Sequence, residues 1–180
     1  MRIRKEDAIA LAVDYQEKLM PVMAERETLE KRSEILLKGL NVLEIPVIVT
    51  QQYTKGLGMT VPVLQKAAGT EHFSEKITFS CMDDERIKKQ VEAYGKKYVI
   101  VCGIEAHICV LQTCIDLKEH GYEPVLVMDC ISSRKQSDKE GAILRAQQEV
   151  ILLTTSEAIL FELTRKAGSP VFKTISGLIK

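Results

Sequence analysis

The chain has 180 residues with 25 basic and 25 acidic side chains, and 46% of its residues are hydrophobic. This length fits one domain, 1–180, and a formal net charge of +0 without any Trp argues against a nucleic-acid partner. A charged N-terminus and an apolar run that stops at Asp14 do not match a signal peptide or a membrane span. We therefore expect a cytoplasmic protein with no membrane partner.

Apolar runs that predict strands alternate along the chain with patterns of helical period. The predicted strands are Ala8–Val13, Pro46–Thr50, Glu75–Phe79, Lys97–Cys102, Pro124–Met128 and Val150–Leu153. The predicted helices are Glu25–Leu43, Asp83–Tyr94, Ala106–His120, Ser137–Gln148, Ser156–Lys166 and a short closing helix at Pro170–Ile179. Gln51–Gly69 is rich in Gly and Pro, which predicts a long functional loop with one helical turn at most.

One helix start carries a specific signal. Ser137 precedes Glu140 by three residues, which predicts a capping box with Ser137 as the N-cap. We therefore expect the helix that follows the fifth strand to begin at Ser137.

The alternation of apolar strands with helices predicts an α/β fold in three layers, α/β/α, with a doubly wound, mainly parallel sheet of about six strands. Ligands of such sheets bind beyond the carboxyl ends of the strands, where the strand order reverses. Residues that follow the strands are therefore the candidates for a site. They are Asp14, Thr50–Tyr53, Glu105–Cys109 and Asp129.

The segment Val99–Leu111 is the most informative in the chain. An apolar strand ends near Gly103, and a helical pattern then opens with Cys109 in its first turn. A helix N-terminus favours a thiolate over a thiol and can hold an oxyanion. The pattern thus predicts a cysteine nucleophile, although a buried cysteine that packs as a small apolar side chain is the commoner outcome for one Cys taken alone.

Two further residues could support that thiol. Asp14 ends an otherwise apolar strand and could act as a base, and Lys76 stands at a strand edge, where its ammonium could pair with Asp14. Each has an ordinary alternative, because a solvated strand end or an N-cap explains Asp14 and a surface position explains Lys76.

Three separated motifs favour the catalytic interpretation of these residues over the ordinary one. Val13–Gln16, Glu75–Ser80 and Gly103–Val110 occur in the order seen in the isochorismatase-like cysteine hydrolase family, which the chain resembles from about Ala8 to Ile179. Within that family, it is most similar to the isochorismatase domain-containing proteins. Three motifs in the right order are a specific signal, whereas any one of them alone is weak.

The resemblance implies a catalytic triad of Asp14, Lys76 and Cys109. It also implies a cis peptide bond at Ile104-Glu105, which directs the backbone N–H groups of Glu105 and Cys109 to an oxyanion. Family members with nicotinamidase activity carry Asp and His metal ligands after the second strand, and Gln51–Lys55 has neither. We therefore expect no metal and no cofactor.

The remaining expectations concern the substrate and the assembly. Gln16, Tyr53, Phe79 and Ile104 are the candidate substrate-binding residues, with Tyr53 as a wall of the pocket. The resemblance implies a homo-oligomer, a dimer or a tetramer. The side chain of Glu105 either points to solvent or touches substrate.

The sequence therefore predicts a metal-independent cysteine hydrolase that cleaves a small amide or a related carbonyl compound through a thioester-type intermediate on Cys109. The alternative is a non-catalytic or weakly active protein of the same fold that acts in oligomeric assembly or partner binding.

Overall fold

The computed structural model describes residues 2–180 and contains a six-stranded sheet in which each neighbouring pair of strands is parallel. The strands are β1 Ala8–Val13, β2 Val47–Gln52, β3 Ser74–Lys76, β4 Tyr98–Ile104, β5 Glu123–Ser132 and β6 Leu152–Thr154. The helices are α1 Arg26–Val42, α2 Thr54–Leu57, α3 Pro62–Ala68, α4 Glu85–Tyr94, α5 Leu111–Glu119, α6 Gln136–Gln148, α7 Ser156–Thr164 and α8 Phe172–Ile179. The predicted three-layer α/β/α fold is confirmed.

Strand β1 is buried along its whole length and shows how the two helical layers are built. Successive side chains of a strand point to opposite faces of the sheet. Ala8, Ala10 and Ala12 face the layer of α1, α3, α7 and α8, while Ile9, Leu11 and Val13 face the layer of α4, α5 and α6. The small side chains let α1 pack closely on the first face, and the larger side chains fill the second.

The strand order is β3-β2-β1-β4-β5-β6, so the chain reverses direction across the sheet between β1 and β4. In doubly wound sheets this reversal opens a crevice at the carboxyl ends of the two strands. Gly103 permits the close approach of β4 to β1 there, because a Cβ atom at that position would lie 2.2 Å from the carbonyl oxygen of Val13. Asp14 follows β1, and the segment that carries Cys109 follows β4.

The long loop after β2 contains more regular structure than the sequence predicts. Two short helices, α2 and α3, occupy most of Gln51–Gly69. Pro62 stands at the start of α3, where its fixed φ suits the first turn, and Gly69 ends that helix in a left-handed conformation.

The predicted capping box at Ser137 is wrong. Helix α6 begins one residue earlier, at Gln136, and its N-cap is Lys135, which makes no side-chain cap. Glu140 accepts a hydrogen bond from Gln136 Nε2 at 3.2 Å. Since Glu140 bonds along the helix surface, it does not reach back to close a box.

All helices within residues 2–180 are too short or too polar to cross a bilayer.

Candidate active site

Asp14 lies at the centre of the crevice between β1 and β4. Its backbone is in the left-handed region, with φ of 53°, and its side chain has no exposed surface. One carboxylate oxygen, Oδ1, accepts a hydrogen bond from Thr50 Oγ1 at 2.7 Å, and the other, Oδ2, contacts Lys76 Nζ at 2.6 Å. A carboxylate buried this deeply is expected only where such partners balance its charge.

Lys76 is the last residue of β3 and is as deeply buried as Asp14. Its ammonium donates to Asp14 Oδ2, to Gln52 Oε1 at 2.8 Å and to the carbonyl oxygen of Thr78 at 3.2 Å. Burial acts to lower the pKa of Lys76, but the charge of Asp14 and the nearby thiols outweigh it, so that the pKa is raised. The side chain is therefore an ammonium ion with all three of its N–H groups in use.

Cys109 belongs to a π-helical turn, Ala106–Val110, that leads directly into α5. The residue is 7% exposed, and its thiol is close enough to Asp14 and Lys76 for the charges of both to act on it. Burial first, and then the negative charge of Asp14, raise the pKa of Cys109 to about 12, while Lys76 opposes them. These groups form one cluster, so the structure brings all three predicted catalytic residues together.

The expectation that Cys109 rests as a thiolate is wrong. A helix N-terminus lowers the pKa of a thiol by a modest electrostatic effect. Burial and the negative charge of Asp14 act in the opposite direction and are stronger here. Both favour a neutral thiol over a thiolate at neutral pH.

Thr113, one turn into α5, holds the segment in place. Its hydroxyl donates to the carbonyl oxygen of Cys109 at 2.6 Å and accepts from the backbone N–H of Cys81 at 2.9 Å. Cys81 is fully buried, and burial raises the pKa of its thiol to about 11. The sequence analysis missed Thr113, since a single polar residue carries no pattern that reveals such bonds, and it placed Gln52 at this edge of the sheet without predicting its bond to Lys76.

Glu105 is held by a second ion pair, with Arg134. The peptide bond before it, Ile104-Glu105, is cis. Its carboxylate accepts from the backbone N–H of Arg134 at 3.0 Å and from Arg134 Nε at 3.2 Å. Glu105 is only 7% exposed, so its side chain fixes the turn after β4 to the segment after β5.

The four candidate substrate-binding residues divide into two pairs. Tyr53 and Phe79 are 52% and 55% exposed, whereas Gln16 and Ile104 have no exposed surface. The amide of Gln16 is fully used, because it bonds to the backbone N–H and carbonyl of Gln52 and to the carbonyl of Gly58. Gln16 thus anchors the loop that follows β2 and has no surface for a ligand to touch.

Asp129 and His107 have structural partners. The carboxylate of Asp129 accepts from the backbone N–H of Ser156 at 2.7 Å and from its hydroxyl at 2.6 Å, which ties β5 to the start of α7. His107 Nδ1 is 2.9 Å from the hydroxyl oxygen of Ser133. Among residues 2–180, no group of three or more His, Cys, Asp or Glu side chains is arranged to hold a metal ion.

Comparison with known proteins gives a consistent family assignment. The isochorismatase domain model matches residues 8–158. Isochorismatase domain-containing protein 2 from Danio rerio is 37% identical over 179 residues, which cover 99% of this chain and 89% of that protein.

Solved structures show the same fold over almost the whole chain. The structure of MAR1 ribonuclease from Caenorhabditis elegans has a TM-score of 0.93 and 36% identity, over 99% of this chain and 92% of that one. The YcaC gene product of Escherichia coli, described as an octameric hydrolase of unknown specificity, has a TM-score of 0.88 and 25% identity, over 93% of this chain and 84% of that one.

Proposed function

The chain belongs to the isochorismatase family, and we propose that it is a cysteine hydrolase that cleaves a small amide or a related carbonyl compound without a metal ion. One observation carries the proposal. The carboxylate of Asp14 is buried, contacts the ammonium of Lys76 at 2.6 Å, and lies near enough to the thiol of Cys109 for its charge to raise the pKa of that thiol. A buried carboxylate this near a thiol is placed to act as its base.

In the proposed reaction, the thiol proton of Cys109 passes to Asp14 as the sulfur attacks the carbonyl carbon of the substrate. Collapse of the tetrahedral intermediate breaks the carbon–nitrogen bond, and Asp14 returns the proton to the departing amine. The acyl group is then a thioester on Cys109. Asp14 next takes a proton from water, whose oxygen attacks the thioester, and the proton returns to the cysteine sulfur as the carboxylic acid leaves.

The resting thiol is central to this scheme. Because the pKa of Cys109 is raised to about 12, very little of the residue is a thiolate at neutral pH. Proton transfer to Asp14 during the attack avoids a free thiolate altogether. Lys76 balances the charge of the carboxylate and holds it in place, since its three N–H groups are committed to fixed acceptors.

The oxyanion of the intermediate needs hydrogen-bond donors. We assign this role to the backbone N–H groups of Glu105 and Cys109. The ion pair between Glu105 and Arg134 then serves to hold the first of these donors in place. Loss of one such donor in other enzymes slows the reaction by roughly 10²–10³-fold.

Tyr53 and Phe79 are the proposed contacts for the substrate. Both are more than half exposed, and the segments that carry them are joined next to Lys76, because the backbone N–H of Tyr53 donates to the carbonyl of Lys76 at 3.0 Å. Aromatic surface beside a buried thiol suits a small, partly apolar acyl group.

The alternative function is oligomeric assembly or partner binding with little or no catalysis. Ile77 is 80% exposed, and with Tyr53 and Phe79 it adds apolar surface beside the triad. The related YcaC structure is octameric. On this alternative the surface serves only for contact with other copies, whereas on the leading proposal a homo-oligomer and a working triad occur together.

The ribonuclease name of a related structure makes RNA a competing substrate to be tested. The formal net charge of +0 and the absence of Trp provide neither a general basic field nor indole rings for base stacking. We therefore propose a small molecule, and not nucleic acid, as the substrate.

A screen of small amides tests the proposal, with amine release and the intact protein mass as the two readouts. We expect at least one amide to release amine and to leave an acyl adduct on Cys109, and we expect Cys109→Ala and Asp14→Asn to abolish both. Cys114→Ala, in helix α5 directly after the turn that carries Cys109 and outside the triad, is the matched control and should remain active. RNA cleavage that survives Cys109→Ala would refute the assigned nucleophile, and the lack of any turnover would favour the assembly function.

A further inference from the structure

A second cavity lies at the opposite end of the sheet from Cys109. Its volume is about 560 Å³, within the usual range for small-molecule sites. It is bounded by the turn Lys5–Asp7 before β1, by Leu43 after α1 and by the loop between α7 and α8. Since the turn precedes β1 and the triad follows the strand ends, this basal cavity plays no part in the proposed reaction.

Positive charge dominates the rim of the basal cavity. Arg4, Lys5 and Arg165 line it, and Glu6 is the acidic residue among its lining side chains. Within residues 2–180, no carboxylate lies within 4.0 Å of the guanidinium of Arg4 or of Arg165. Among the residues that the structure describes, Lys5 is paired only with Glu44, at 3.8 Å, and the side chain of Glu44 is 87% exposed. The rim therefore holds two guanidinium groups whose charge is free to attract an anion.

The interior of the basal cavity combines apolar surface with one unsatisfied hydroxyl. Leu43, Leu163 and Val171 form an apolar floor. Ser169 Oγ is buried and has no hydrogen-bond partner among the described residues, whereas the neighbouring hydroxyl of Thr164 donates to the carbonyl of Leu160 at 2.7 Å. A buried hydroxyl without a partner is unfavourable, so a ligand that bonds to it removes that penalty.

Several backbone contacts hold the walls of the basal cavity in place. The backbone N–H of Ile3 donates to Glu162 Oε1 at 2.7 Å and so fixes the N-terminal segment against α7. The N–H of Arg165 bonds to the carbonyl of Phe161, and the N–H of Ser169 bonds to that of Lys166. The positive end of α8, which begins at Phe172, borders the same space. These contacts fix the backbone of the walls, while the side chains on them are free to rotate toward a ligand.

We propose that the basal cavity binds a small organic anion, a carboxylate or phosphate group attached to an apolar body. The anionic group lies between Arg4 and Arg165, and a rotation of the Ser169 side chain brings its hydroxyl, which is buried and unpaired among the described residues, into a hydrogen bond with the anion. The apolar body packs on the floor. The positive charge, the unpaired hydroxyl and the apolar floor together favour an organic anion. A neutral apolar molecule would leave the hydroxyl unpaired, and an inorganic anion would leave the floor exposed to water.

Titration of the isotope-labelled full chain, followed by NMR, tests this site. The probes are benzoate, phenyl phosphate, inorganic phosphate and the neutral benzyl alcohol. We expect benzoate or phenyl phosphate to shift the amide signals of residues 4–6 and 163–171 with a dissociation constant at or below about 1 mM. Benzyl alcohol and inorganic phosphate should each bind at least about tenfold more weakly. The relative affinities of the two organic anions decide between a carboxylate and a phosphate group.

Variants give the decisive comparison. Arg165→Gln and Arg4→Gln should each weaken the binding of the better organic anion by about tenfold or more, and Ser169→Ala by about threefold or more. Arg145→Gln is the matched control, since Arg145 is an exposed arginine on α6 paired with Glu149, and it should change nothing. Either arginine variant alone suffices if the other fails to fold. Signals that do not move with either organic anion, or affinities that are equal in the wild type and the folded variants, would overturn the proposal.

Discussion

The two ion pairs of the candidate site, Lys76 with Asp14 and Arg134 with Glu105, differ in burial and in the distance between their charges. Lys76 and Asp14 have side chains with no exposed surface and meet at 2.6 Å. Arg134 and Glu105 meet at 3.2 Å, and the arginine side chain is 62% exposed. The first pair is cut off from water, while water screens the cation of the second.

The difference separates a chemical role from a scaffolding role. A buried charge that loses its partner is strongly unfavourable, so the Lys76–Asp14 pair must be kept or replaced as a unit. The pair of Arg134 and Glu105 contributes little through its charge, because Glu105 also accepts from a backbone N–H. The buried pair therefore controls the thiol, and the exposed pair holds a turn.

The largest expected effect comes from Lys76→Met, which leaves the charge of Asp14 buried without its partner. We expect the free energy of unfolding to fall by about 3–5 kcal/mol. The matched variant Arg134→Met should cost about 1 kcal/mol or less, because that cation is solvated. Denaturant titration measures both. The double variant Asp14→Leu/Lys76→Met should recover most of the lost stability, and equal losses from the two single variants would contradict the comparison.

Thr50→Val removes the hydroxyl that donates to Asp14 Oδ1 while keeping the shape of the side chain. We expect a loss of about 1–3 kcal/mol, since a buried acceptor is left with one bond fewer. Thr28→Val, on the exposed surface of α1, is the matched control and should stay within about 0.5 kcal/mol. If Thr50→Val is as mild as the control, the buried pair does not need this support.

The thiol of Cys109 should make the protein less stable in alkali. Its pKa is raised to about 12 in the folded chain, against about 8.5 in an unfolded chain. As the pH rises above 8.5, the unfolded state releases the thiol proton and the folded state keeps it. Stability therefore falls with rising pH, by up to about 1.4 kcal/mol per pH unit for this thiol.

Comparison of the wild type with Cys109→Ala isolates this contribution, because the other buried thiols are present in both proteins. Denaturant titrations between pH 8 and pH 10.5 should show that the free energy of unfolding falls less steeply with pH for Cys109→Ala than for the wild type. The difference in slope should be that of about one proton, or about 1.4 kcal/mol per pH unit. Equal slopes for the two proteins would show that the pKa of the Cys109 thiol is not raised in the folded chain.

The smallest expected effect comes from Glu105→Gln, which keeps an acceptor for the backbone N–H of Arg134 and removes the charge. We expect a loss of about 1 kcal/mol or less. Turnover of a substrate found in the amide screen should fall by less than about tenfold. A complete loss of activity would show that the carboxylate of Glu105 takes part in the chemistry.

Much of the fold could be predicted because its signals are local. The apolar strands and their alternation with helices define the sheet, and the rule of parallel connections places Asp14 and Cys109 at one edge. The sequence predicts the wrong start for α6, because Ser137 and Glu140 have the spacing of a capping box. The helix begins at Gln136 without any side-chain cap.

The candidate site was harder to predict where its properties depend on distant residues. The thiolate expectation considered only the helix start, whereas the pKa of Cys109 depends on burial and on Asp14, 95 positions earlier in the chain. Gln16 follows Asp14 closely in sequence, yet all of its hydrogen-bonding groups hold the loop after β2. Neither contact leaves a pattern in the local sequence.

The central claim is that Asp14 and the thiol of Cys109 share one buried charge and one proton. The pH dependence of Cys109 alkylation by iodoacetamide, followed by mass spectrometry of its peptide, tests that claim directly in the wild type and in Asp14→Asn. The wild-type rate should still rise by about tenfold per pH unit at pH 10.5, because the thiol remains protonated there. Asp14→Asn removes the negative charge that raises the pKa of the thiol, so the alkylation rate of this variant should level off at a pH at least about one unit lower than in the wild type. Amide turnover by the same variant should be lost. Identical profiles, or a wild-type rate that levels off near pH 9, would contradict the account.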